Sequence, residues 1–173
     1  VTDAKGCTIS ASVTVSQPSA PLSIAFSQTN VLCHEAETGA INITVSGGTP
    51  SYSFAWSNGL QTEDITNLPD GSYAVTVEDS RGCLANQSVQ ITQPVAPLNA
   101  TSTQVNVACH GESTGSIDVS VTGGTSPYTY AWNSGQSSQD LSSIPTGTYS
   151  LEITDFNGCG FLLPTVQVTQ PTA

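Results

Sequence analysis

The stretch Leu68-Pro69-Asp70-Gly71-Ser72-Tyr73-Ala74-Val75-Thr76-Val77 decides the fold. Pro-Asp-Gly is turn chemistry: proline presets φ, and glycine accepts positive φ without steric cost. Residues 72–77 then alternate strictly, with Tyr73, Val75 and Val77 on one face and Ser72, Ala74 and Thr76 on the other. A period of two with one apolar face describes a half-buried antiparallel strand. Working outward, Ala40–Ser46 places Ile41, Ile43 and Val45 on one face, and Ser51–Trp56 does the same with Tyr52, Phe54 and Trp56. Gly47-Gly48-Thr49-Pro50 lies between them as a tight connection. No segment of convincing length has helical periodicity, so the chain reads as all-β.

The same stretch returns 76 residues later as Ile144-Pro145-Thr146-Gly147-Thr148-Tyr149. At that shift 20 of the 51 positions from Cys33 to Cys83 are identical to Cys109–Cys159, without a gap. Val1–Cys7 matches Val77–Cys83, and Gln17-Pro18, Gln93-Pro94 and Gln170-Pro171 close successive units. The expected organisation is therefore residues 1–18 as the tail of a preceding repeat, 19–94 as one β-sandwich repeat and 95–173 as the next. About 76 residues suffice for a small seven-stranded sandwich with a thin core. Gln17-Pro18-Ser19-Ala20-Pro21-Leu22 and Gln93-Pro94-Val95-Ala96-Pro97-Leu98 each carry two prolines in four residues, so the connectors are short and semi-rigid. Tandem units joined this way imply an extended rod.

Charge narrows the function. Of 173 residues only Lys5 and Arg81 are basic, against 13 acids, for a net charge of −11. Charged residues make up 9%, well below the roughly 25% of an average domain. Binding duplex nucleic acid or an anionic membrane needs clustered Lys and Arg, so neither is expected as a partner. No apolar run approaches the roughly 20 residues of a membrane-spanning helix. No basic segment followed by an apolar core opens the chain, which reads as an internal or mature fragment. The charge divides as zero over residues 1–18, −6 over 19–94 and −5 over 95–173. That is a modest negative charge recurring per unit, which keeps a long array soluble.

The repeat organises the five cysteines. Cys33 and Cys83 bracket one unit, and Cys109 and Cys159 the next, each pair 50 positions apart. Two intra-repeat disulfides are expected, Cys33–Cys83 and Cys109–Cys159, with Cys7 left without its partner by truncation. Chain entropy assigns a loop of that size roughly 4 kcal/mol. Disulfides imply an oxidising, extracytoplasmic compartment. Without a CxxC, one histidine beside each first cysteine does not make a metal site. Tyr73 and Tyr149 resemble the tyrosine corner of immunoglobulin-like sandwiches, in which the hydroxyl bonds the backbone a few residues upstream. Trp56 and Trp132 are expected in the core. Exposed, with Tyr52 and Tyr128, they would instead be sugar-stacking platforms.

Catalytic chemistry is not expected. The only histidines, His34 and His110, occupy equivalent positions, and a hydrolase site duplicated in every unit of an array is improbable. The carboxylate pairs Glu63-Asp64 and Glu78-Asp79 are not kept in the second unit. Asp3, Asp79 and Asp155 recur at one position and read as Asx-turns. The alternative reading makes them Ca²⁺ ligands at a repeat junction. No other cofactor is implied.

Cys109-His110-Gly111-Glu112-Ser113-Thr114-Gly115-Ser116-Ile117, Gly123–Trp132, Ile144–Tyr149, Thr154–Cys159 and Thr169-Gln170-Pro171 together resemble the SprB-type repeat of large cell-surface adhesins from gliding Bacteroidetes. The first unit departs at Glu35 and in the order Pro50-Ser51, both in loops. The resemblance implies type IX secretion, a long surface filament and a role in adhesion or gliding. The expected function is thus a structural segment of a secreted adhesin on the bacterial cell surface. Its partners would be neighbouring repeats, surface polysaccharide or lateral copies of itself. The alternatives are a glycan-binding module acting by avidity and an accessory domain of a secreted enzyme.

Overall fold

A computed structural model describes residues 1–15 and 17–172. The first unit contains β1 (Ser23–Thr29), β2 (Gly39–Ser46), β3 (Tyr52–Trp56), β4 (Ile65–Leu68), β5 (Gly71–Asp79) and β6 (Leu84–Ile91). The second contains β7 (Asn99–Val105), β8 (Gly115–Thr122), β9 (Thr129–Trp132), β10 (Leu141–Ile144), β11 (Gly147–Thr154) and β12 (Gly160–Val168). There is no helix among the described residues. Each unit is two three-stranded antiparallel sheets, β1-β2-β4 facing β3-β5-β6 and β10-β8-β7 facing β12-β11-β9. Six strands form, one fewer than the seven expected, and the longest has nine residues.

Two of the six strands are short because they divide one pass between them. β3 pairs with the Val75–Asp79 half of β5, and β4 pairs with the Gly39–Ile41 half of β2. One pass along the sandwich is therefore shared by two short strands, with the chain changing sheets midway. Beyond Ile41, where β4 ends, the Asp64 carboxylate accepts the Ile43 N–H at 2.9 Å, and Asp140 does the same for Val119 at 2.8 Å.

The predicted alternation places the core. Ile41, Ile43, Trp56, Ile65, Tyr73, Val75, Val77, Val89 and Ile91 form one buried cluster shared by both sheets. Ile117, Val119, Trp132, Leu141, Tyr149, Leu151, Ile153, Val166 and Val168 form its counterpart. In β12 the register slips between the pairs Tyr149↔Val166 and Leu151↔Leu163, leaving an extra residue at Pro164-Thr165. This bulge absorbs the single inserted residue of the second unit, where a proline without an N–H is tolerated.

β1 and β6 both run from the pole that holds the preceding linker to the opposite pole. The chain thus enters each unit at one end and leaves at the other. At the entry pole the linker crosses the Gly-Gly loop, with Gly124 N–H donating to the Ala96 carbonyl at 3.1 Å. Gly123 has φ of 67°, and a Cβ there would lie 1.9 Å from the Pro97 carbonyl oxygen. Gly123→Ala is expected to destabilise the second unit by at least about 2 kcal/mol in a thermal melt. Gly135, with φ of 89° but open space around it, is the control: Gly135→Ala carries only the backbone cost, so equal losses would contradict the close approach.

Candidate functional site

The cysteines do not pair within units. Cys33 of the first unit bonds Cys159 of the second, 126 residues apart, with a Cα–Cα distance of 5.7 Å. Cys7, Cys83 and Cys109 are free and exposed. The expected Cys33–Cys83 and Cys109–Cys159 bridges are corrected for a geometric reason. Cys33 sits at the exit pole, where Val31 N–H donates to the Thr92 carbonyl at 2.9 Å and Glu35 N–H reaches the Gln93 side chain. Cys83 sits in the β5–β6 turn at the entry pole, where its carbonyl accepts the Asp79 N–H at 3.0 Å. A strand such as β6 separates the two poles by about 25 Å, whereas a disulfide needs Cα atoms within about 7 Å. Head-to-tail succession instead brings the exit pole of one unit to the entry pole of the next.

The junction is held by more than sulfur. The Asn157 side-chain amide donates to the Leu32 carbonyl across the units at 3.0 Å, and to the Thr125 hydroxyl at 3.1 Å. A carboxylate organises the turn that presents Cys159. One oxygen of Asp155 accepts the N–H groups of Asn157 and Cys159, each at 2.9 Å, and the other accepts Thr125 N–H at 2.9 Å. Asp79 repeats this with Arg81, Cys83 and Thr49, and Asp3 binds the Lys5 and Cys7 N–H groups. Asp79 and Asp155 are 4% and 5% exposed, and each carboxylate accepts three backbone N–H groups. Among the described residues no three His, Cys, Asp or Glu side chains come together as a metal-binding group.

Hydrogen bonding from backbone N–H groups, Cys83 first, lowers the Asp79 pKa below the ordinary carboxylate value. A group whose folded pKa lies below its unfolded one stabilises the fold above the unfolded pKa, about 4. That contribution is lost as pH falls through the folded pKa. Asp79→Asn should therefore lower the melting temperature of the first unit at pH 7. It should also flatten the decline of that temperature below about pH 4. An unchanged acid limb would contradict the role of this carboxylate.

Tyr73, Tyr149, Trp56 and Trp132 serve the fold. The Tyr73 hydroxyl donates to the Pro69 carbonyl at 3.1 Å and Tyr149 to Pro145 at 2.9 Å, a tyrosine corner in each unit. Burial raises the pKa of both hydroxyls. Trp56 and Trp132 are 4% exposed, their indole N–H groups donating to the Thr62 and Ser138 carbonyls, both at 2.9 Å. The Tyr52 and Tyr128 hydroxyls donate to the Gly47 and Gly123 carbonyls at 2.7 Å. The two tryptophans are in the cores, and Tyr52 and Tyr128 are half-buried against them.

Residues 25–61 and 101–137 match the family model described as the SprB repeat. Part of each unit is thus similar to the SprB repeat. The two matched windows are related by the 76-residue shift and run through the first three strands of each unit. No curated protein matches the chain. Among solved structures, the N-terminal eight Ig domains of Down syndrome cell adhesion molecule isoform 1.30.30 share 12% identity at a TM-score of 0.46. That match covers 88% of this chain and 25% of the other. Extracellular domains 3–5 of Drosophila OTK share 16% at 0.43, covering 87% and 62%. Domains 4–9 of the surface layer protein SbsC share 14% at 0.34, covering 91% and 31%. The chain thus spans less than two thirds of each of these proteins, and the immunoglobulin-like architecture of the two units rests on their own sheet topology.

Proposed function

We propose that the tandem SprB units form a non-catalytic stalk segment of a secreted adhesin, holding a binding region away from the bacterial cell surface for adhesion or gliding. The observation that carries this reading is the Cys33–Cys159 bond. With the proline-bearing linker it ties consecutive units at two separate points, so that a bend at the junction would have to stretch a covalent bridge. A disulfide of this kind belongs to an oxidising, extracellular setting. The recurring negative charge keeps such stalks apart and soluble. The glycan-binding alternative is weakened at its two tryptophans, which are both in the cores. The partners in this reading are neighbouring SprB units, with no cofactor required.

Antibodies raised against residues 19–171 are expected to label intact producing cells. Excising both units from the protein is expected to shorten its surface filament in electron micrographs. Labelling only after permeabilisation would contradict the proposal.

A further inference from the structure

We infer that Cys83 and Cys109 are the open halves of the same inter-unit bond, and that each pairs with a cysteine of an adjoining SprB unit. Cys109 would take the last cysteine of a following unit, and Cys83 the first cysteine of a preceding one. A longer array is then one continuous ladder of disulfides, each unit stapled to both neighbours.

Three observations carry this. The repeat makes Cys83 equivalent to Cys159 and Cys109 to Cys33, and those equivalents are bonded to each other. Both partners are also presented identically. Asp79 holds Cys83 N–H at 2.9 Å as Asp155 holds Cys159. On the receiving side, Val107 N–H donates to the Thr169 carbonyl at 2.9 Å as Val31 does to Thr92. Gly111 N–H donates to the Gln170 side chain at 3.0 Å, matching Glu35 on Gln93.

The third observation concerns the charges. Two positions before the last cysteine stands Asn157, which donates across the junction to the carbonyl preceding Cys33. The equivalent positions hold Arg81 and Lys5, the only basic residues in the chain. All three side chains are hydrogen-bond donors. Arg81, exposed beside the free Cys83, is placed to donate to the same carbonyl in a preceding unit. The scarce positive charges thus serve unit-to-unit docking.

Bond formation removes two protons and two electrons from a pair of thiols. A disulfide oxidant such as oxidised glutathione takes them up and leaves as two thiols. The inference extends the stalk reading, but its test reads thiols rather than location, so either can fail alone. The test uses a chain of residues 1–171 followed directly by a copy of 19–94, which reproduces the Gln-Pro junction. Oxidised in a glutathione buffer, it has seven cysteines, the original five plus two. Two bonds should form, Cys33–Cys159 and Cys109 to the appended Cys83, leaving three free thiols, the same number as the original chain. Cys109→Ser should leave four. In the appended copy Arg81→Ala should slow formation of the new bond several-fold, and Arg81→Asn should restore it. Five free thiols, or a bond between the two cysteines of the appended unit, would overturn the inference.

Discussion

Cys33→Ser is expected to destabilise the first of the two units to melt by about 4 kcal/mol, and the second by well under about 1 kcal/mol. When one sandwich unfolds and its neighbour stays folded, the bond to Cys159 closes the unfolded segment into a loop of about 60 residues, whose lost entropy is roughly 4 kcal/mol. For a domain this small that is a fall of about 15–30 °C in the first transition. Cys159→Ser should give the same loss, since it removes the same bond. Cys83→Ser and Cys109→Ser should change nothing in this chain, because both thiols are free and exposed. Differential scanning calorimetry of the four variants reads this directly. Were the bridges inside the units, Cys33→Ser would match Cys83→Ser and leave the second unit untouched.

Trp132→Ala should have an effect of similar size, confined to the second unit. Removing a buried indole costs about 3–5 kcal/mol. The loss falls on a 14-residue buried cluster that has no other ring of that size. Trp132→Phe should lose less, keeping most of the volume while giving up the hydrogen bond to the Ser138 carbonyl. The first unit, with Trp56 in its own cluster, should keep its melting temperature unless the junction transmits the loss. Amide spectra of the two units separate these effects. Unchanged melting in Trp132→Ala, accompanied by lost polysaccharide binding, would instead mark the ring as a sugar platform.

Most of the sandwich was legible because a period of two survives in the residues themselves. Alternation alone places Ile41, Ile43, Tyr73, Val75 and Val77 on inward faces, and all are buried. The tyrosine corner was legible because its turn chemistry, Pro-x-Gly before Tyr, is local. Cysteine pairing was not, since a spacing of 50 holds equally for either arrangement. The deciding quantity is the number of pole-to-pole passes between Cys33 and Cys83. β2, the shared pass of β3 and β4, and β5 make three, an odd number that leaves the two cysteines at opposite ends. Counting β3 and β4 as full strands makes four and puts them at one end. The sheet change between Trp56 and Ile65 carries no marker in a stretch rich in Ser, Asn, Gln and Thr. The docking role of Asn157 was hidden for a related reason: its partner, the Leu32 carbonyl, is a backbone atom 125 residues away.

The central claim is that the two tandem units are cross-linked head to tail. Proteolysis of the oxidised, unreduced 173-residue chain and mass spectrometry of its linked peptides test it most directly. The predicted result is one linked pair joining the peptide that contains Cys33 to the peptide that contains Cys159, with Cys7, Cys83 and Cys109 alkylated as free thiols. Recovery of Cys33 joined to Cys83, and of Cys109 joined to Cys159, would contradict it.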